Sequence, residues 1–268
     1  MYCFTFMTAG VSVNRGKRPG AAACERLPVP ADASHGYVRV ALLTHAKRRT
    51  AMSLKSSIKT VLTLGQGVVA GIPEAADDAN PFELFQAWFE AARESGIFEP
   101  NAMALATSTA DGRPSVRMVL LKEVDERGFV FFTNYESRKA AEIEANPHVA
   151  LVLHWSVLER QIRVTGPVVR ISPEESFAYF SSRGRGSRIG AWASTQSRPL
   201  PDRTELEARV AEMKDRFPDG DIPLPPFWGG YRVEPETIEF WQGKADRLHD
   251  RLVFERVDGA WNSHRLYP

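Results

Sequence analysis

From Pro81 onward the apolar residues Phe82, Phe85, Phe89 and Ala92 recur at three- and four-residue spacing, with Leu84 and Trp88 widening the stripe. That period predicts an amphipathic packing helix. Asn80 offers a side-chain acceptor to its first turn, Pro81 suits the first helical position, and Gly96 marks a stop.

Beyond Asn101 the period shortens. AMALATST, SVRMVLLK, GFVFFTN, VALVLHW and RQIRVTGPVVRI are β-rich runs, separated by turn sequences such as ADGRP and EVDERG. Short helices are predicted to open at Ser137 and at Ser172, and TELEARVAEMKDRF makes a third. The chain returns to strands in YRVEPETIEFW and DRLVFERV, and the Asp-Gly of VDGAW signals a hairpin. Consecutive strands joined by short turns predict a mainly β, α+β fold: an antiparallel barrel or sheet with short helices attached. No GxGxxG follows a strand, which argues against a parallel dinucleotide-binding sheet.

Residues 1–59 differ from the rest, being rich in Arg, Lys, Ala and Ser with Glu25 and Asp32 as their acids. No amphipathic helix emerges there. The stretch therefore reads as a disordered extension, or as sequence upstream of a true start at Met52, rather than as a transit peptide. The predicted domain spans 60–268. Both cysteines, Cys3 and Cys24, fall in the first stretch, so neither a disulfide framework nor a zinc site is expected and a reducing cytoplasm is the natural setting. A formal net charge of +1 excludes the basic surplus of a nucleic-acid binder, and no apolar run is long enough for a membrane span. Any anion site must be local.

Four local cationic patterns are candidates. In NYESRKAAEIEANP, Ser137 caps a helix with Arg138 and Lys139 in its first turn. Cations there oppose the helix dipole unless a phosphate sits on the free N–H groups, or unless both simply point to water. In SPEESFAYFSSRGRGS, Ser172 and Glu175 form a capping box, and Tyr179 and Arg183 stand four apart on one helical face. Gly184 and Gly186 are expected to end that helix and let the backbone curl back to Ser187. Three arginines lie within six positions there, which suits a bound phosphate or a solvated helix end. In DRLHDRLVF, strand alternation would put Arg247, His249 and Arg251 on one face, toward an anion or toward water. In SVRMVLLK, Arg117 and Lys122 bracket a strand, and their odd separation puts them on opposite faces unless a bulge intervenes. No catalytic triad, paired-carboxylate site, P-loop or metal-binding histidine cluster stands out, so a cofactor is expected to supply the chemistry.

RMVLLK at 117–122, FFTNYESRK at 131–139, ERQIRVTG at 159–166, YFSSRGRGSRIGAWASTQS at 179–197 and EFWQGKADRLHDR at 239–251 resemble the pyridoxamine 5′-phosphate oxidase family from about Asn80 to the C-terminus. The resemblance implies an FMN-binding split β-barrel acting as a homodimer, with a C-terminal dimerisation segment at about 220–268. It implies oxidation of pyridoxamine 5′-phosphate or pyridoxine 5′-phosphate to pyridoxal 5′-phosphate, hydride passing to the flavin and O₂ becoming H₂O₂. Carried over by motif, Arg117, Met118, Val119, Leu120, Leu121, Lys122, Phe132, Thr133, Arg138 and Lys139 would hold FMN. Gln161, Gln196, Ser197, Trp241 and Arg251 would complete its site, some from the partner subunit. Lys122, Tyr179, Arg183 and Ser187 would take the substrate phosphate, with Arg247 and His249 over the ring as catalytic residues. A flavin reductase-like enzyme or a non-enzymatic carrier of FMN or pyridoxal phosphate are the competing readings.

Overall fold

The structure is a computed structural model that describes Ile72 and residues 80–268. The expected extension at 1–59, both cysteines and the boundary near residue 60 lie outside the described residues.

The first helix, α1 (Pro81–Glu94), opens as its sequence predicts: Asn80 Oδ1 accepts from Phe82 N at 2.9 Å. It buries Phe82, Phe85, Trp88, Phe89 and Ala92. Phe85 meets Phe129 edge-on at 5.1 Å, and Trp88 meets Phe240 in the same manner at 5.3 Å. Burying each such side chain stabilises the fold by about 1.5–3 kcal/mol, so α1 is the plug of the main core.

Ten strands follow, all paired antiparallel: β1 (Ala102–Ser108), β2 (Pro114–Leu120), β3 (Glu123–Asp125), β4 (Gly128–Asn134), β5 (His148–Trp155), β6 (Arg160–Arg170), β7 (Trp228–Val233), β8 (Thr237–Gln242), β9 (Asp250–Val257) and β10 (Ala260–Arg265). Their main order is β10-β9-β8-β6-β5-β1-β2. The long strand β6 serves two neighbours on one edge: Arg160–Thr165 pair with β8, and Val168–Arg170 pair with β7. Through β7 the sheet continues to β4 and β3, which curls it into a half-barrel. Gly166 sits at the switch, where a Cβ would overlap the backbone oxygen of Glu234, so a larger residue has no room.

The run YRVEPETIEFW is not one strand. It divides into β7 and β8, because the first part pairs with β4 and the end of β6 while the second pairs with the start of β6. The β9–β10 hairpin turns on Asp258 (φ 50°) and Gly259 (φ 84°), the positive-φ pair a two-residue hairpin needs.

Four further helices flank the sheet: α2 (Arg138–Ala145), α3 (Pro173–Ser182), α4 (Arg185–Ala193) and α5 (Arg203–Arg216). The capping box of Ser172 and Glu175 forms as expected. Helix α3 ends at Ser182, just before Gly184 as expected, but the glycine-rich stretch that follows is helical rather than a loop. Gly184 is the N-cap of α4, with Gly186 inside the helix. Burial of Ile189 and Ala193 in a second small core with Phe180, Met213, Ile222 and Trp228 outweighs the roughly 1 kcal/mol that glycine costs a helix. Among the described residues, no helix is long and apolar enough to cross a membrane.

Candidate active site

Most of the predicted residues fall into three groups. The first forms around Phe132 at the end of β4. Its ring stacks on Tyr179 of α3 at 4.0 Å and on Trp228 of β7 at 5.4 Å. Arg183 lies over Trp228, its guanidinium carbon 4.7 Å from the ring. It is the C-cap of α3, with extended backbone, so it leaves the helix rather than sharing a face with Tyr179. Lys122 Nζ lies 5.7 Å from the Tyr179 ring. Burial lowers the Lys122 pKa, and Arg183 lowers it further against an opposing pull from Glu99. Burial likewise raises Tyr179 while Arg183 draws it back. Arg183 Nη1 is buried with no hydrogen-bond partner among the described residues. Such a donor is costly unless an acceptor arrives.

The second group surrounds the start of α2. Ser137 caps the helix by accepting from Ala140 N. Lys139 Nζ donates to Thr133 Oγ1 at 2.9 Å, Gln196 Oε1 at 2.8 Å and Ser137 Oγ at 3.3 Å, all neutral acceptors. Burial, with Arg117 adding, lowers Lys139 to about 8. Thr133 also donates to Gln196 at 3.1 Å. Arg117 and Arg138 differ, since both are paired with Glu142, at 3.0 and 2.8 Å. Ser197, next to Gln196, is exposed with φ 71°. A cavity of about 300 Å³ joins the two groups, lined by Arg183, Ser187, Gln196, Trp228, Asn134 and the α4 backbone at Gly190.

The strand that bears Arg117 ends at Leu120. Leu121 is buried in the core, Met118 faces out at 64% exposure, and Val119 packs against the core. Lys122 N donates to Val130 O at 2.9 Å, so the chain is already bending into the β3–β4 hairpin. This break removes the difficulty that an odd separation would place Arg117 and Lys122 on opposite faces of one strand.

The third group is a row across the sheet: Gln161 on β6 pairs with Trp241 on β8, which pairs with Arg251 on β9. Arg251 Nε donates to Glu239 at 2.8 Å, which raises its pKa. The expected alternation of Arg247, His249 and Arg251 along one strand is not found. Strand β9 begins at Asp250, and Ala245–Arg247 form a tight turn in which Asp246 and Arg247 have φ of 56° and 62°. Three contacts close that turn: Lys244 Nζ to Asp250 at 2.8 Å, Lys244 N to His249 Nδ1 at 3.2 Å, and Leu248 N to Ala245 O. His249 packs 4.6 Å from Trp241, and Arg247 is exposed. Among the described residues, no hydrogen bond or ring contact joins this row to the other two groups.

Sequence reasoning missed Glu142 and Trp228. Glu142 was detectable as an i+4 partner of Arg138; Trp228 reaches the site only through the β4–β7 pairing, which no local pattern signals.

Comparison with known proteins places these features in context. Residues 89–217 match the family described as pyridoxamine 5′-phosphate oxidase, and 228–268 match the pyridoxine 5′-phosphate oxidase C-terminal dimerisation region. A pyridoxine/pyridoxamine 5′-phosphate oxidase of Psychromonas ingrahamii is 55% identical over 217 residues, covering 81% of this chain and all of the relative. That of Rubrobacter xylanophilus is 59% identical over 199 residues, covering 74% of this chain and 92% of the relative. Among solved structures, PhzG from Burkholderia lata 383, in complex with tetrahydrophenazine-1-carboxylic acid, superposes with a TM-score of 0.71 at 35% identity, over 75% of this chain and all of that one. A pyridoxamine 5′-phosphate oxidase-related, FMN-binding protein from Nostoc punctiforme, 18% identical with a TM-score of 0.57 over 71% of this chain and 99% of that one, shares the fold. On these matches the chain belongs to the pyridoxamine 5′-phosphate oxidase family.

Proposed function

We propose that this protein is a cytoplasmic, homodimeric pyridoxine/pyridoxamine 5′-phosphate oxidase that uses FMN and O₂ and forms pyridoxal 5′-phosphate and H₂O₂. The observation that carries the reading is the state of three cations. Lys122, Lys139 and Arg183 are each about half-buried, and among the described residues none has a carboxylate within salt-bridge distance. Half-buried, unpaired cations are costly in a folded protein and are retained where an anion completes them.

Two anion positions follow. Lys139 and the free first-turn N–H groups of α2, with Arg138 and Arg117 alongside, suit the phosphate of FMN. Arg183, Lys122, Tyr179 and Ser187 suit the phosphate of the substrate, with Arg183 Nη1 supplying the waiting donor. Thr133, Gln196, Ser197, Phe132 and the segment 117–122 would hold the rest of the cofactor. Bound FMN would supply the hydride acceptor. The protein's own part is to fix the substrate at its phosphate and orient its ring, with Arg247 and His249 as the catalytic pair. The His249 Nδ1 atom accepts from Lys244 N, which puts the ring's N–H at Nε2. Gln161, Trp241 and Arg251 lie apart from the two phosphate sites within one chain, which suits a site completed by a second copy.

The test is turnover with matched substrates. Pyridoxine 5′-phosphate and pyridoxamine 5′-phosphate should yield H₂O₂ and aldehyde, the amine also consuming water and releasing ammonia, while unphosphorylated pyridoxine should be a poor substrate. A protein that binds FMN but forms no H₂O₂ with either phosphate ester would instead be a carrier.

A further inference from the structure

Glu142 is not one of the residues assigned to either phosphate, yet four side chains converge on it. It is 5% exposed, on the face of α2 that meets the sheet. Its Oε2 accepts from Thr107 of β1 and from Ser115 and Arg117 of β2, and its Oε1 accepts from Arg138 of α2 itself. One carboxylate therefore ties β1, β2 and α2 together and pairs with two of the three cations assigned to the cofactor phosphate. Arg117 is further fixed by Leu105 O and Thr107. Arg138 is 68% exposed, and its bond to Glu142 is the one described contact of its guanidinium. Burial would push the Glu142 carboxyl up, but hydrogen bonds from Ser115, Thr107, Arg138 and Arg117 outweigh it and hold the group at about 2.

A buried anion beside a phosphate site is at first sight a poor choice, since it repels the ligand. What it offers is orientation. An exposed arginine loses substantial rotamer freedom when it grips a phosphate, and one already held at Nε keeps its terminal nitrogens aimed. We infer that Glu142 is a positioning residue for the cofactor phosphate, holding Arg117 and Arg138 in the geometry that phosphate requires; this rests on the FMN reading above.

Repulsion and positioning predict opposite signs, so the test is decisive. In Glu142→Gln an NH₂ group replaces one oxygen and faces a guanidinium donor, which releases at least one arginine. Apoprotein is titrated with FMN and with riboflavin, following flavin fluorescence. The expected result is an FMN Kd raised roughly tenfold with the riboflavin Kd unchanged, because the lost contact acts on the phosphate alone. Glu144→Gln, on the same helix but paired with Arg170 and Tyr231, should alter neither. Glu142→Met, which fills the same space without charge, gives a second variant should the glutamine protein fold poorly, and the same FMN-selective loss is expected. An FMN Kd that is unchanged or lower, or parallel losses of FMN and riboflavin, would overturn the inference. Wild-type protein that fails to bind FMN at all would sink the functional reading itself, and this inference with it.

Discussion

Lys139 donates from Nζ to Gln196 Oε1 at 2.8 Å, tying the first turn of α2 to the segment that follows α4. The ammonium has neutral acceptors around it and lies close enough to Arg117 to be pushed down by it. This arrangement is poised for an anion, and it gives the site a pH signature.

Burial first, and Arg117 second, lower Lys139 from 10.5 to about 8. Between those values the unfolded chain binds the proton and the folded apoprotein does not, so this group makes apoprotein stability rise with pH across that window; below it the penalty is complete. Phosphate binding has the opposite preference, because it requires the ammonium. FMN affinity should therefore fall as pH rises above about 8, and Lys139→Met should remove that slope. Flavin fluorescence titrations across that range check this. A flat wild-type profile would take the ammonium out of the phosphate contact.

Arg183→Ala removes the orphaned buried donor over Trp228. Losing a charged hydrogen bond to phosphate costs about 1.5–3 kcal/mol, so KM for pyridoxine 5′-phosphate should rise roughly ten- to hundredfold while FMN stays bound. Loss of FMN with KM unchanged would mean that the two phosphates are assigned the wrong way round.

Arg247 has φ 62°, and alanine carries the same Cβ, so Arg247→Ala adds no backbone strain. Its kcat/KM should fall substantially with FMN affinity and the melting temperature almost unchanged. His249→Ala should act in the same direction, with some added destabilisation because Lys244 N loses its acceptor. Wild-type kinetics in both would remove the pair from the site.

Gly166→Ala tests the switch in β6. The new methyl would meet backbone at Glu234, which cannot rotate away. Overpacking of this kind costs about 1–3 kcal/mol, or a fall of roughly 2–12 °C in melting temperature for a domain of this size. An unchanged melting temperature would contradict the close approach of β6 to the β7–β8 connection.

What was legible in the sequence was what local chemistry determines. Asn80, Ser137 and Ser172 each cap the helix they were expected to open, because a short polar side chain before an apolar stripe has few other uses. The Asp-Gly hairpin was legible because Asp258 and Gly259 tolerate the positive φ that a two-residue turn needs. The turn at Ala245–Arg247 was hidden because neither positive-φ residue is glycine or asparagine; its closure depends on Lys244 reaching Asp250. The helical state of Arg185–Ala193 was hidden because its support comes from burial against Trp228 and Met213, far along the chain. The site residues identified from motifs gather in two clusters and one cross-strand row. Glu142 and Trp228, which join elements distant in sequence, had to wait for the fold.

The central chemical event is the movement of electrons from a phosphorylated B6 compound to a flavin held by this chain. Purified protein loaded with FMN is mixed anaerobically with pyridoxamine 5′-phosphate while the flavin's visible absorbance is followed. The flavin should bleach on mixing and recover fully when O₂ is admitted, with pyridoxal 5′-phosphate formed in proportion. Flavin that remains oxidised in the presence of saturating substrate would contradict that electron transfer.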